Sequence, residues 1–342
     1  MTSRHESPEP ALPFSDILLS EGGPAPDFDR FYFNLHAPGS STFLTLGAGV
    51  YPPTGVIDSY VCAAVGGEQR NLRCSSALDS TRPTAVGPFL WAVLEPLRAW
   101  RLRLGPNASG IELDVSWSAR TPAFATQRYQ VLDEHGRSDH AHFFQSGCYE
   151  GTLHVDGVRI DVDGWLGQRD RSRGTRRVRD RLGMHLWVQA RSPGEHIGFL
   201  FNEDRHGVPS HCDGAVMHAD GALERIRGVR HDLAVTDDLE ITGGRFMLEL
   251  ESGRVRELTF ESPGRGLYMA GGGFAGWQGQ ARGLDHTEHE RWPLGGTLTP
   301  RALPIGVVNA LSTFHGVAGP GIGVVEYALS RSASYLYTPT LK

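Results

Sequence analysis

Short runs of alternating apolar and polar residues recur along the whole chain and constrain its fold more than any other feature. In the segment 110–119, Ile111, Leu113, Val115 and Trp117 occupy every second position, which places them on one face of a strand. Glycine and proline separate such runs at spacings of roughly ten residues, and no stretch keeps a helical period. Short strands joined by turns predict an all-β fold of the sandwich or barrel type.

The length of 342 residues allows two domains, each large enough to bury its own core. Residues 1–26 are rich in proline, glycine, serine and acidic residues, so we predict a flexible N-terminal tail, with residues 14–19 as a potential docking helix within it. A charged stretch near the midpoint suggests a division there. We therefore expect an N-terminal β domain over 27–176 and a C-terminal β-barrel-like domain over 177–342.

The net charge of the chain is modest, at −6, and argues against a general role in binding nucleic acid or anionic membrane surfaces. No window approaches the roughly eighteen consecutive apolar residues of a membrane span, and the first residues lack a signal-peptide pattern. We therefore predict a cytoplasmic protein without integral membrane association.

The four cysteines are scattered, with no Cys-x-x-Cys pair and no histidine at zinc-finger spacing: Cys62, Cys74, Cys148 and Cys212. Free thiols in a reducing compartment explain this pattern, and a Cys62–Cys74 bridge across a hairpin is the alternative.

A glycine-framed charged corner lies near the midpoint of the chain. Apolar residues alternate on both sides of Asp156-Gly157, which predicts a two-residue hairpin that leads into residues 164–174. There, Asp170 stands between Arg169 and Arg171, with Trp165 nearby. Guanidinium groups stabilise a carboxylate, which favours a structural ion pair, whereas desolvation beside Trp165 would favour a protonated acid that donates a proton. The residues alone leave both interpretations open.

The pattern Gly-Gln-Arg-Asp-Arg-Ser-Arg-Gly at 167–174 resembles the Tyr-His-Asp-His-Asn-Trp-Gly signature of the carotenoid hydratase (hydroxyneurosporene synthase) family. It looks more like the Arg-Asp-His-Ser-Trp-Gly-x-Arg motif of that family's uncharacterised bacterial relatives. The resemblance implies two lipocalin-like domains in tandem, with Asp170 at the position of the family's proposed acid. Gln168 replaces the tyrosine of the signature, and Arg173 replaces its tryptophan.

Residues 284–292 form a second polar cluster. On a strand, His286, Glu288 and Glu290 would share one face and His289 would lie on the other, so the spacing is not that of a helical zinc site. A metal site, a polar rim that contacts substrate and a plain exposed strand are all compatible with this pattern, and we predict no metal.

The glycine-rich segment 271–279 lacks the Lys-Ser/Thr of a phosphate loop. Close packing or a bulge near a cavity explains its glycines better than a nucleotide does, and Trp277 within it is a candidate substrate contact. We therefore expect no nucleotide cofactor.

The family resemblance implies two function classes, and the single carboxyl group in the charged corner adds to the first of them. In the first, the protein is a cofactor-independent enzyme that hydrates, dehydrates, isomerises or cyclises a hydrophobic unsaturated substrate such as a terpenoid, steroid or polyene. Asp170 then donates the proton, and His185 or His286 orients water. The candidate substrate-binding residues are Trp165, Gln168, Arg169, Arg171, Trp187, Trp277 and Glu288.

In the second class, the protein is a non-catalytic carrier for an apolar ligand, and the charged corner is architectural. His185 and Trp187 then belong to an ordinary strand, where a core tryptophan lies beside a hydrogen-bonded histidine. Both classes predict a hydrophobic small molecule as the partner and leave the oligomeric state open.

Overall fold

The computed structural model describes residues 15–19, 25–37, 42–79, 83–133, 136–175, 182–263, 266–274 and 276–341. These residues form two antiparallel β-sheets and two short 3-10 helices, Pro52–Thr54 and Met269–Gly272. The prediction of an all-β fold with tandem lipocalin-like domains is confirmed.

The first half of the chain contributes strands that join the first sheet. In chain order they are β1 (Phe28–His36), β2 (Phe43–Tyr51), β3 (Val56–Val65), β4 (Glu68–Ala77), β5 (Ala85–Val86), β6 (Phe89–Glu95), β7 (Ala99–Leu104), β8 (Ile111–Ala119), β9 (Phe124–Ala125), β10 (Tyr129–Asp133), β11 (Gly136–Val155), β12 (Val158–Asp161) and β13 (Trp165–Thr175).

The second half contributes mainly to the second sheet. Its strands are β14 (Leu182–Arg191), β15 (Glu195–Asp204), β16 (Pro209–His218), β17 (Leu223–Val235), β18 (Ile241–Leu250), β19 (Val255–Glu261), β20 (Leu267–Tyr268), β21 (His286–Pro293), β22 (Val308–His315) and β23 (Gly321–Leu329).

The second sheet closes into a barrel. Its strands run in the order β19-β18-β17-β16-β15-β14-β23-β22, and β22 pairs with β19 to complete the circle. Alternate residues point inward and form an apolar core that includes Leu186, Val188, Phe199 and Phe246.

The first sheet is a curled half-barrel with the strand order β21-β4-β3-β2-β1-β13-β11-β8-β7-β6-β5. Its inner face buries a core of its own that includes Phe31, Phe33, Trp100 and Trp117. Its edge strand β21 comes from the second half of the chain and pairs with β4. The alternation of apolar and polar residues did not predict that a strand from the second half would join the first sheet. The expected boundary at residue 176 lies outside the described residues and stays a prediction.

A third apolar cluster joins the two sheets. Phe144 and Tyr32 on the outer face of the first sheet pack with Trp187 on the outer face of the barrel. Residues on this face of the first sheet are therefore enclosed between two layers, which positions the candidate site described below.

Part of the predicted N-terminal tail packs against the first sheet. Residues 15–19 form a turn, not a helix, in which Asp16 and Leu18 are buried. The Asp16 carboxylate accepts hydrogen bonds from the backbone N–H of Leu97 and from the indole of Trp100, at 2.7 and 3.0 Å. Residues 1–14 and 20–24 lie outside the described part of the chain.

The four cysteines are free thiols, so the Cys62–Cys74 bridge is not formed. Both of those thiols are buried, and burial raises the pKa of Cys62 to about 12. Within the described part of the chain, no helix has the length and apolar character needed to cross a membrane.

Candidate functional site

Asp170 belongs to a row of side chains on the outer face of the first sheet. It lies opposite Phe144 of β11 on one side and opposite Tyr32 of β1 on the other. On β2 the row continues with Gly47, where an added Cβ would lie 3.1 Å from the ring of Tyr60, the next member on β3. The glycine therefore lets the tyrosine ring lie across the strand.

Four of the residues at the junction of the sheets form what we term the Asp170 cluster: Asp170, His142, Tyr32 and Trp187. The Nε2 atom of His142 lies 3.7 Å from Oδ2 of Asp170, and both side chains keep slight exposure, at 13% and 14%. The Trp187 ring centroid lies 5.4 Å from that of Tyr32 and 5.9 Å from that of His142. A half-buried acid and an imidazole thus share an aromatic enclosure.

A hydrogen-bond chain connects Tyr32 to His185. The Tyr32 hydroxyl donates to Oδ1 of Asn309 at 2.8 Å, and the Asn309 amide donates to Glu326 at 2.9 Å. The other carboxylate oxygen of Glu326 lies 3.3 Å from Nε2 of His185, whose Nδ1 lies 2.7 Å from Oδ1 of Asn202. Two residues of the predicted site, His185 and Trp187, therefore do lie near Asp170.

Burial favours the neutral forms of two side chains in this region, Tyr32 and His211 of β16. Burial, reinforced by the Glu326 carboxylate, raises the pKa of the Tyr32 phenol well above its usual value. Burial also lowers the pKa of His211; Asp213 opposes this shift, and His142 and His185 add to it. Tyr32 is therefore a hydrogen-bond donor at any physiological pH.

Arg169 and Arg171 lie on the opposite face of β13, because neighbouring residues of a strand point in opposite directions. Both side chains are fully buried inside the curled sheet. Arg169 pairs with Asp16, and Arg171 pairs with Asp29. These arginines, which the sequence placed beside Asp170, instead hold the N-terminal segment in place. Trp165 also packs into this inner core.

Gln168 shares the face of Asp170 but lies deeper. It is completely buried, and its Oε1 accepts a hydrogen bond from Arg191 at the end of β14. The side-chain hydrogen bond of Gln168 is therefore made to the second sheet.

The remaining predicted residues, His286, Glu288 and Trp277, lie at the far edge of the first sheet. Together with Arg73, which was not predicted, they form what we term the edge cluster. Glu288 accepts hydrogen bonds from Arg73 at 3.0 Å and Trp277 at 3.1 Å, and it lies 2.7 Å from His286. Five strand spacings separate Glu288 from Asp170, which is roughly 24 Å measured along the curled sheet. The edge cluster and the Asp170 cluster cannot act on one small molecule at the same atoms.

Glu288 behaves as an anchor for its neighbours. The hydrogen bond with His286, followed by those with Arg73 and Trp277, lowers its pKa from 4.5 to about 2, although partial burial opposes the shift. A carboxyl group of this kind is ionised at neutral pH and does not donate protons there.

Replacing Glu288 by glutamine is expected to remove a pH-dependent contribution to stability. Because the folded pKa is depressed, the contribution is fully present above pH 4.5 and disappears as the pH falls toward 2. The gap in melting temperature between wild type and Glu288→Gln should therefore be constant near neutrality and shrink below pH 4.5. The matched variant Glu257→Gln, at an exposed position, should track wild type. A gap that stays constant down to pH 3 would contradict the assignment.

The glycine-rich segment lies on the same face as the Asp170 row. An added Cβ at Gly271 would lie 2.1 Å from Oδ1 of Asn71, so the expected close packing is confirmed. The Phe274 ring contacts Tyr60, and the backbone N–H of Gly279 donates to the buried carboxylate of Asp58 at 2.7 Å. Burial raises the pKa of Asp58 to about 7. The segment covers one flank of the face, and the barrel covers the other.

Among the described residues, no group of three or more His, Cys, Asp or Glu side chains is placed to hold a metal ion.

Comparison of the sequence with models of protein families shows which family the chain belongs to. A model of a family of unknown function, DUF8625, matches residues 15–330. The chain belongs to DUF8625. No curated protein sequence matches this DUF8625 protein.

Solved structures resemble the DUF8625 protein over nearly its whole length. A structure named as a candidate AttH from Nitrosomonas europaea has a TM-score of 0.62 at 12% identity and covers 91% of this chain and 93% of its own. Kievitone hydratase from Nectria haematococca has a TM-score of 0.54 at 13% identity, and the match covers 88% of this chain and 89% of the hydratase. At these identities the likeness establishes the shared fold.

The sequence did not single out several residues that surround Asp170 in this DUF8625 protein. His142 and Phe144 stand two positions apart on β11, so strand alternation could have placed them on one face. No local sequence pattern marked Tyr32, Asn309 and Glu326. They come close to β13 only because of the order of strands in the two sheets.

Proposed function

We propose that this protein is a cofactor-independent acid–base enzyme that acts on a hydrophobic unsaturated molecule at the junction of its two sheets. One observation carries the proposal: Asp170 and His142 lie 3.7 Å apart beside the aromatic side chains of Tyr32, Phe144 and Trp187. A carboxyl group and an imidazole at this distance can exchange a proton through one bridging water molecule. The reaction is a hydration, dehydration, isomerisation or cyclisation.

In the proposed reaction, Asp170 donates its proton to one carbon of a C=C bond, which leaves positive charge on the other carbon. The ring faces of Trp187 and Tyr32 stabilise this charge. For hydration, water adds to the cation and gives up a proton to His142, which returns it to Asp170. For isomerisation or cyclisation, a C–H proton of the cation takes that route instead.

Tyr32, His185 and Glu326 supply the polar side of the proposed site. The Tyr32 phenol stays protonated and is held by Asn309, so it can orient a water molecule or a substrate hydroxyl. His185 and Glu326 extend the chain of hydrogen bonds away from the cluster. We place Gln168 at the inner end of this site and leave Trp165, Arg169, Arg171 and the edge cluster outside it.

The test measures isotope incorporation. The purified protein is extracted with organic solvent, and any co-purified molecule is identified by mass spectrometry. That molecule, together with geranylgeraniol, lycopene and kievitone as defined probes, is then incubated with the protein in water enriched in deuterium and ¹⁸O. Incorporation of either label at carbon is the expected result. Recovery of every molecule unlabelled and unchanged would contradict an enzymatic role.

A second candidate function is the carriage of an apolar ligand, and one observation favours it. The barrel mouth holds a cavity of about 180 Å³ between Tyr268, Tyr327, Val308, Ala310 and Ile241. This volume accommodates a molecule about the size of benzene. Recovery of an unchanged small molecule in the extraction above would support this alternative.

A further inference from the structure

Arg191, the last residue of β14, is a fully buried guanidinium at the junction of the two sheets. Its Nη1 donates to Oε1 of Gln168, and its Nη2 lies 2.6 Å from Nε2 of His36. Neither partner carries negative charge. In the described part of the chain, no carboxylate lies within 4.0 Å of Arg191.

This lack of a counter-charge sets Arg191 apart from the other fully buried arginines. Arg169 and Arg171 each pair with a fully buried aspartate, Asp16 and Asp29. Burial lowers the pKa of Arg191 to about 10, so the group still carries its charge at neutral pH. A buried charge is costly unless it is paired, so a bound anion would stabilise the folded protein at this position.

The groups around Arg191 add no negative charge. Burial, followed by the charge of Arg191, lowers the pKa of both His36 and His196, which keeps these imidazoles neutral. Arg120 lies close enough to lower the pKa of Arg191 as well, and its guanidinium donates to the backbone carbonyls of Ser192 and Pro193. The local field is therefore positive.

Hydrogen-bond donors without partners also cluster here. Nε of Arg191, Nε2 of Gln168 and Nε2 of Gln189 are buried and have no hydrogen-bond partner among the described residues. The oxygen of each glutamine is already used, by Arg191 for Gln168 and by His196 at 2.6 Å for Gln189, so the free ends are N–H groups. Buried polar groups without partners are rare, and a set of donors around a cation matches an acceptor with negative charge.

A narrow crevice at the surface adjoins this position. The residues that border it include Arg120, Thr121, Ser146, Ser192, Gly194 and Glu195, whose carboxylate is paired with Arg256. Ser192 directly follows Arg191 in the chain. The crevice adjoins Arg191 along the chain, and the side chains of Arg191, Gln168 and Gln189 are themselves fully buried.

We propose that Arg191, Gln168 and Gln189 form a binding site for a carboxylate. The planar guanidinium suits two-oxygen anions, and the two amides supply the remaining donors. The carboxylate is either a free small acid or the acidic end of an apolar molecule. Because Gln168 and Asp170 are two positions apart on one face of β13, their Cα atoms lie roughly 7 Å apart. The proposal does not depend on Asp170 being catalytic.

Isothermal titration calorimetry tests the site without any turnover. The probes are formate, hexanoate and hexan-1-ol, titrated into the wild-type protein at constant ionic strength. We expect hexanoate to bind at least tenfold more tightly than hexan-1-ol. Formate binding as tight as that of hexanoate identifies a free-anion site, and binding of hexanoate alone identifies the acidic end of an apolar ligand.

Three variants make the test specific. Arg191→Met should weaken hexanoate binding at least tenfold, whereas Arg227→Met, which removes an exposed guanidinium paired with Glu251, should leave it unchanged. Asp170→Asn should also bind normally, which separates this site from the proposed catalytic acid. If Arg191→Met does not fold, Gln189→Met takes its place, with binding weakened several-fold. Wild-type protein that binds neither acid, or a folded Arg191→Met that binds like wild type, would overturn the proposal.

Discussion

Replacing Asp170 by asparagine is expected to lower turnover by about 10²–10⁴-fold, because the variant keeps the shape of the side chain and loses its proton. Stability should change little. The ionic neighbour of Asp170 is His142 at 3.7 Å, and both side chains keep contact with solvent. The measurement is the rate of deuterium incorporation into the substrate, with the thermal midpoint recorded on the same preparation.

The matched control for this experiment is Asp161→Asn, which alters an exposed carboxylate paired with Arg159. It should retain full activity and the wild-type melting temperature. Wild-type activity in Asp170→Asn would remove Asp170 from the mechanism. A large loss of stability in that variant would instead point to an architectural role for the carboxylate.

Replacing Arg169 by leucine is expected to destabilise the protein by roughly 3–5 kcal/mol, the range found when a buried ion pair loses one partner. The Asp16 carboxylate would remain fully buried without its guanidinium. The variant also loses the contact of Arg169 with the Trp117 ring at 5.1 Å and the hydrogen bond to Gln145 at 3.0 Å. Chemical denaturation measured by tryptophan fluorescence gives the change in unfolding free energy.

A double variant separates the contribution of the ion pair from that of packing. Asp16→Asn combined with Arg169→Leu removes both charges and keeps an oxygen that accepts from Leu97 and Trp100, so it should recover much of the stability that the single variant loses. Arg159→Leu, at an exposed pair, should change the unfolding free energy by less than about 1 kcal/mol. If the double variant is as unstable as the sum of the single ones, the ion pair is not what stabilises this corner.

Strand positions and local turns could be predicted from the sequence. The run 110–119 forms β8 with Ile111, Leu113 and Val115 buried, as its alternation indicates. The Asp156-Gly157 turn joins β11 to β12, and both residues have positive φ values of 49° and 80°. These features depend on neighbouring residues only, so one segment contains all the information they need.

The arrangement of the candidate site could be predicted only in part. The segment 164–174 does contain Asp170 and the buried arginines, but their neighbourhood in sequence suggested contacts that strand geometry forbids. Arg169 and Arg171 point away from Asp170 because consecutive strand residues face opposite sides. The groups that do approach the cluster come from distant strands, as in the hydrogen bond from Tyr32 to Asn309 across 277 positions. No local pattern encodes such a pairing.

The pairing of β21 with β4 at the edge of the first sheet has a consequence for the synthesis of the chain. Strand β4 ends at Ala77, but its partner β21 ends only at Pro293, so 216 further residues must be made before the edge is covered. At translation rates of about 5–20 residues per second, β4 stays uncovered for roughly 10–40 seconds. An open strand edge pairs readily with other chains. The nascent protein therefore carries an exposed edge through most of its synthesis, and a fragment that ends at residue 176 would carry it permanently.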